Sequence, residues 1–151
     1  MALRFNHMEL TFGEGMLTEE FRTDIDAFYN GVFGFGSSRV ELVGQDCHFL
    51  RVDDRAEQFI LLAESPKPMS SPGYDHLGFL MDTRAEVDDL LAACKAFQAK
   101  DDRVQIKEYD DLVNGDHVTH AFYVKYLLPI WFDVQSQERA GAPIDGRWQY
   151  A

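Results

Sequence analysis

Apolar and polar positions alternate strictly near the start of the chain. In Phe5-Asn6-His7-Met8-Glu9-Leu10-Thr11-Phe12, the side chains of Met8, Leu10 and Phe12 share one strand face. His7, Glu9 and Thr11 share the other, so the pattern predicts a strand with one apolar side and one chemically equipped side. Gly13-Glu14-Gly15 ends it. Thr18 fits an N-cap, and Glu19 and Glu20 follow in the first turn, where negative charge suits the helix dipole. Phe21, Ile25, Phe28, Tyr29, Val32 and Phe33 then recur at helical spacing, and Gly34 and Gly36 close that stripe. Three short strands are predicted next, over 38–43, 48–52 and 58–63, with turns at Gly44-Gln45-Asp46 and Asp53-Asp54-Arg55. The stretch 65–73 carries Pro66, Pro68 and Pro72, which supply no ladder donors, and reads as a linker.

The same construction then repeats. Tyr74-Asp75-His76-Leu77-Gly78-Phe79-Leu80-Met81-Asp82 reads as a strand opening on a histidine. Thr83-Arg84-Ala85-Glu86 has the spacing of a capping box, and Val87, Leu90, Leu91, Cys94 and Phe97 form the apolar stripe of the helix it opens. Strands are predicted over 104–108, 118–124 and 130–135, with a turn at Asn114-Gly115-Asp116. His7 and His76 lie 69 positions apart, and the two helix starts are separated by nearly the same interval. Agreement in phase across two β-α-β-β-β runs points to an internal duplication. The expected layout is one domain, with a first module over 4–64, a linker over 65–73, a second module over 74–136 and a tail over 137–151. The tail from Gln137 is expected to be irregular, with Trp148 and Tyr150 docking on the domain or on a partner subunit.

Composition narrows the function. The 151 residues suit one compact domain with a real core, and 46% hydrophobic content is that of a globular protein. A formal net charge of −12 repels a phosphate backbone and argues against nucleic-acid binding. Cys47 and Cys94 form no CxxC pair, which argues against a disulfide framework or a cysteine zinc site. They read as small buried hydrophobes of a reducing cytoplasm. No apolar run approaches the ~20 residues of a membrane helix, and the first residues lack a signal-peptide core, so a cytoplasmic location and no membrane partner are expected.

Three stretches resemble the vicinal oxygen chelate superfamily, which includes glyoxalase I, extradiol ring-cleaving dioxygenases, methylmalonyl-CoA epimerase and the fosfomycin and bleomycin resistance proteins. Phe5 to Leu10 is similar to its opening strand, Phe28-Tyr29-Asn30-Gly31-Val32-Phe33-Gly34-Phe35 to its first helix end, and Asp75-His76-Leu77-Gly78-Phe79 to the opening of its second module. The resemblance runs from about Arg4 to Gln135. It implies an α+β fold in which two βαβββ modules form a curved mixed sheet around a cleft, assembled as a homodimer.

It also implies a metal set of His7, His76 and Asp133, the last falling where the family carries a glutamate. Two imidazoles and a carboxylate with open positions suit Fe(II), and also Mn, Ni or Zn. Glu9, on the same strand face as His7, is the candidate base, with Glu64 a weaker one. Tyr123 precedes Asp133 by ten positions and, with His120 or His117, is a candidate accessory proton donor. Three departures bear on this. Aspartate is one methylene shorter than glutamate. Leu127-Leu128-Pro129-Ile130 replaces the family's D-P-x-G turn. Leu61 stands where glyoxalases take a fourth ligand. The expected activity is therefore a divalent-metal-dependent dioxygenase or lyase acting on a small oxygenated or aromatic molecule, ahead of a glyoxalase- or epimerase-like isomerase. A metal-free protein sequestering a planar antibiotic or metabolite is the alternative.

Overall fold

The structure, a computed structural model, describes residues 3–54 and 57–144. Trp148 and Tyr150 lie outside the described residues. Two compact units divide the chain, Met1–Ser70 and Ser71–Ala151.

The first unit runs β1 (His7–Phe12), α1 (Glu19–Tyr29), β2 (Gly36–Leu42), β3 (Gln45–Asp53) and β4 (Gln58–Glu64). Its sheet order is β1-β4-β3-β2, with β1 parallel to β4 and the other pairs antiparallel. The parallel pair requires a long crossover, which contains α1. Thr18 caps α1 by accepting a 3.2 Å hydrogen bond from the Phe21 amide. Leu10, Ile25, Phe28, Leu50, Ile60 and Leu62 are fully buried. The helix stops at Tyr29, so Val32 and Phe33 lie beyond it; Phe33 still packs its ring on Phe28, 5.6 Å between centroids. The β2–β3 turn falls one residue earlier than the sequence suggests. Val43 (φ 51°) and Gly44 (φ 78°) form it, and Leu42 pairs with Gln45.

The second unit runs β5 (His76–Leu80), α2 (Arg84–Gln98), β6 (Gln105–Glu108), β7 (Leu112–Asn114), β8 (His117–Lys125), β9 (Trp131–Arg139) and β10 (Ala142–Pro143). β5 is parallel to β9, β9 is antiparallel to β8, and both β6 and β7 pair with β8. That path repeats β1-β4-β3-β2 with the last position, that of β2, split between two short strands, β6 and β7. The capping box of α2 is complete: Thr83 Oγ1 accepts from the Glu86 amide at 3.2 Å, and Glu86 Oε2 accepts from the Thr83 amide at 2.8 Å. Val87, Cys94, Phe122, Val124, Phe132 and Val134 are fully buried. The expectation of an irregular tail from Gln137 is corrected, because Gln137, Glu138 and Arg139 continue β9 opposite Thr119, Val118 and His117. No helix among the described residues is long and apolar enough to cross a membrane.

Candidate metal centre

Strand parity decides which side chains meet. In the second unit, Phe132 and Val134 of β9 lie with Phe79, whose ring centroid is 4.7 Å from that of Phe132. Trp131, Asp133 and Gln135 therefore point the other way, in register with His76, Gly78 and Leu80 of β5. Tyr123 of β8 is paired with Asp133 and joins this second face.

On that face, His76 Nε2 stands 3.7 Å from Asp133 Oδ2. His76 Nδ1 donates to the Tyr74 carbonyl at 2.8 Å. A carbonyl can only accept, so Nδ1 carries a proton, and Nε2 is the nitrogen that faces the carboxylate. Asp133 is buried; Gln135 Nε2 donates to its Oδ2 at 3.1 Å, while Oδ1 is buried with no hydrogen-bond partner. Burial raises the Asp133 carboxyl above its ordinary value, with His76 acting in the opposite direction. Tyr123 packs its ring 4.8 Å from the His76 ring. Its phenol is held above its usual value first by burial, then by the charge of Asp133, so it keeps its proton at neutral pH.

His7 opens β1 in the first unit and is prepared in the same way. Asn6 Nδ2 donates to the Glu57 carbonyl at 2.9 Å, which leaves Asn6 Oδ1 as an acceptor for His7 Nδ1 at 2.7 Å. The ring stacks on Phe59 with centroids 4.8 Å apart and planes 4° from parallel. Its Nε2 is therefore the nitrogen without a hydrogen-bond partner among the described residues. Glu9 is exposed on the face of β1 that carries His7, paired with Leu61.

The other expected site residues are placed elsewhere. His120 lies three positions from Tyr123 and so on the opposite face of β8. There its Nδ1 and Nε2 each approach a carboxylate at 2.7 Å, Asp111 and Asp88 respectively. His117 pairs with Asn114 across a hairpin and with Arg139. Glu64 accepts the Leu17 amide at 2.7 Å, and backbone hydrogen bonds from Gly15 and Leu17 lower its pKa. His48 is buried with Nε2 2.7 Å from Asp26. Among the described residues no group of three or more His, Cys, Asp or Glu side chains is gathered into a metal cage, so His76 and Asp133 stand as a pair. Sequence reasoning missed the surroundings of that pair: Lys107, set by the register of β6 on β8, and Tyr74 and Tyr109 from the connecting segments beside it.

No protein-family model matches the chain, and neither does any curated protein. Solved structures do. The fosfomycin resistance protein FosX from Listeria monocytogenes aligns with a TM-score of 0.62 at 18% identity, over 94% of this chain and 94% of that one. A mutant of FosX complexed with Mn(II) and 1S,2S-dihydroxypropylphosphonic acid aligns at 0.58 and 19% identity, over 94% and 93% of the chains. The fold is that of the vicinal oxygen chelate superfamily. A lactoylglutathione lyase from Agrobacterium tumefaciens has the same vicinal oxygen chelate fold, with a TM-score of 0.57 and 20% identity over 87% and 92% of the chains.

Some structures with the vicinal oxygen chelate fold hold divalent ions, as the Mn(II) complex of FosX does. The donors present here fit such an ion. Zinc-class bonds to nitrogen and carboxylate oxygen are each about 2.0–2.2 Å. A 3.7 Å gap is too wide for a hydrogen bond and narrower than two such bonds end to end. The buried, unpartnered Asp133 Oδ1 is a lone pair that a cation would satisfy.

Proposed function

We propose that this protein is a divalent-metal-dependent enzyme acting on a small oxygenated or aromatic molecule, with dioxygenase or lyase chemistry ahead of isomerisation. The observation that carries the reading is His76 Nε2 facing Asp133 across 3.7 Å, with Asp133 Oδ1 buried and unpartnered. His76 and Asp133 hold the ion, and His7 is the third ligand that the sequence resemblance implies. When bound, the ion supplies Lewis-acid polarisation of substrate oxygens. The Tyr74 carbonyl fixes the His76 tautomer, and Gln135 orients the Asp133 carboxylate. Tyr123, protonated at neutral pH and packed on His76, is placed to donate a proton to a developing oxyanion. Glu9, exposed and on the His7 side of β1, is the proposed base. A homodimer is part of the same reading, since two-fold dimers are the commonest oligomers.

Metal titration of chelator-treated protein tests this. Calorimetry with Mn(II), Fe(II) and Zn(II) is expected to give one tight site per chain, with His76→Ala and Asp133→Ala each weakening binding by about tenfold or more. Absent metal binding, together with small-molecule binding unaffected by His76→Ala, supports the metal-free sequestering protein instead.

A further inference from the structure

The face that carries His76 and Asp133 also carries a cluster of rings around a lysine. Lys107 pairs with Tyr123 across β6 and β8, so both point to this face. Its Nζ lies 4.1 Å from the Tyr74 ring centroid and 5.1 Å from that of Tyr109. Tyr74 packs against Trp131 at 5.3 Å, and Tyr109 against Tyr123 at 4.9 Å. Lys125 Nζ stands 6.0 Å from the Trp131 ring. Tyr74 and Tyr109 keep 50% and 42% of their surface exposed, so two of the walls are open to a ligand.

With 26 acidic residues against 14 basic ones, a cation readily finds a carboxylate. Arg22, Arg39, Arg84, Lys95 and Arg103 each do. Among the described residues Lys107 and Lys125 do not, nor do Arg4, Lys67, Lys100 and Arg139; Lys107 differs from these in standing against two tyrosine rings. Lys107 meets phenols and ring faces, which hold the ammonium in place without neutralising it. An ammonium with no carboxylate against it, held between half-exposed rings, offers a contact for an anion.

We propose that Lys107, Tyr74, Tyr109 and Trp131 recognise a planar aromatic carboxylate and present it to the His76–Asp133 pair. Lys107 takes the carboxylate, the rings take the faces of the aromatic ring, and Lys125 adds a second positive charge at the Trp131 edge. The class of ligand follows from charge complementarity and from walls that offer ring faces to a flat body. The placement beside the pair rests on the proposed metal site; the recognition of ring and charge does not.

Metal-free protein and three matched probes separate the parts: benzoate, cyclohexanecarboxylate, which is not planar, and benzyl alcohol, which is not charged. Saturation-transfer NMR and calorimetry are expected to rank benzoate first, with each analogue about tenfold weaker or more. Lys107→Met is expected to abolish the preference for benzoate over benzyl alcohol, and Lys107→Arg to keep it. No benzoate binding, equal binding of cyclohexanecarboxylate, or an unchanged preference in Lys107→Met would overturn the inference. Mn(II) binding of the same samples, followed by electron paramagnetic resonance, reads the metal reading separately. Loss of Mn(II) binding with benzoate recognition intact would contradict only the metal site.

Discussion

His76 Nε2 and Asp133 Oδ2 face each other at 3.7 Å, too far apart to share a proton and close enough to share an ion. Each is held by its own strand, β5 or β9, and those strands are parallel neighbours whose register puts Gly78 beside Asp133. Gly78 leaves the space above it open; a Cβ there would meet only Gln135 Nε2, at 4.0 Å.

Asp133 pays for this position in stability. Its folded pKa is raised by burial, so the folded state binds a proton more readily than the unfolded chain, and stability falls as pH rises from the ordinary value of 3.8 through the raised one. Asp133→Asn is expected to stabilise the metal-free protein by about 1 kcal/mol at pH 7. Urea denaturation at several pH values is expected to show that gain shrinking toward zero as the pH approaches 3.8.

The pH slope is the same at His120, but substitution there is expected to destabilise rather than stabilise. Burial lowers its pKa, but hydrogen bonds to Asp111 and Asp88 outweigh that and leave it raised above 6.5. Arg84, bound to Asp111 and Glu138, is the other charged group against it, and it holds the Asp111 carboxyl down at about 2. The imidazolium links α2 to β8, and its contribution is full below 6.5 and lost as pH rises through the folded pKa. His120→Gln is expected to cost about 1 kcal/mol at pH 6 and markedly less at pH 9, allowing for the exposure of Asp88. Equal losses at both values would remove the charge from the account.

Much of this was legible in the sequence. The matched phase of His7 and His76 predicted two strand-helix units, and Thr83 with Glu86 predicted the capping box. The placement of His120 opposite Tyr123 was legible too, because an odd separation along a strand puts two side chains on opposite faces. Other features were not. The β2–β3 turn hides because Val43, a β-branched residue, holds a left-handed position where asparagine is usual, so the turn signal shifts to Gly44 and its successors. β7 is three residues long and exposed, with no burial pattern to announce it. The Lys107 cluster needs the pairing of β6 with β8, and cross-strand register is not written in either strand alone.

Val43 gives a direct test of the turn. Both of its central residues have positive φ, which suits Asn-Gly and strains valine. Val43 is also fully exposed and packs on nothing that the change would lose. Val43→Asn is expected to stabilise the protein by about 1 kcal/mol, a rise in Tm of about 2–4 °C by calorimetry. Val43→Ile is expected to give no such gain.

Cys94 reports on the α2 core. It is fully buried, and burial pushes its thiol up to about 12, so no thiolate is available in the folded state. Ellman's reagent at pH 8 is expected to modify Cys94 only at the rate of unfolding, and its rate is expected to rise in step with denaturant.

The most direct measurement is anomalous diffraction from crystals grown with Mn(II). The account predicts one strong peak about 2.0–2.3 Å from both His76 Nε2 and an Asp133 carboxylate oxygen, and its loss in crystals of Asp133→Ala. A fully occupied Mn(II) site that touches neither residue, or no site at all, would contradict it.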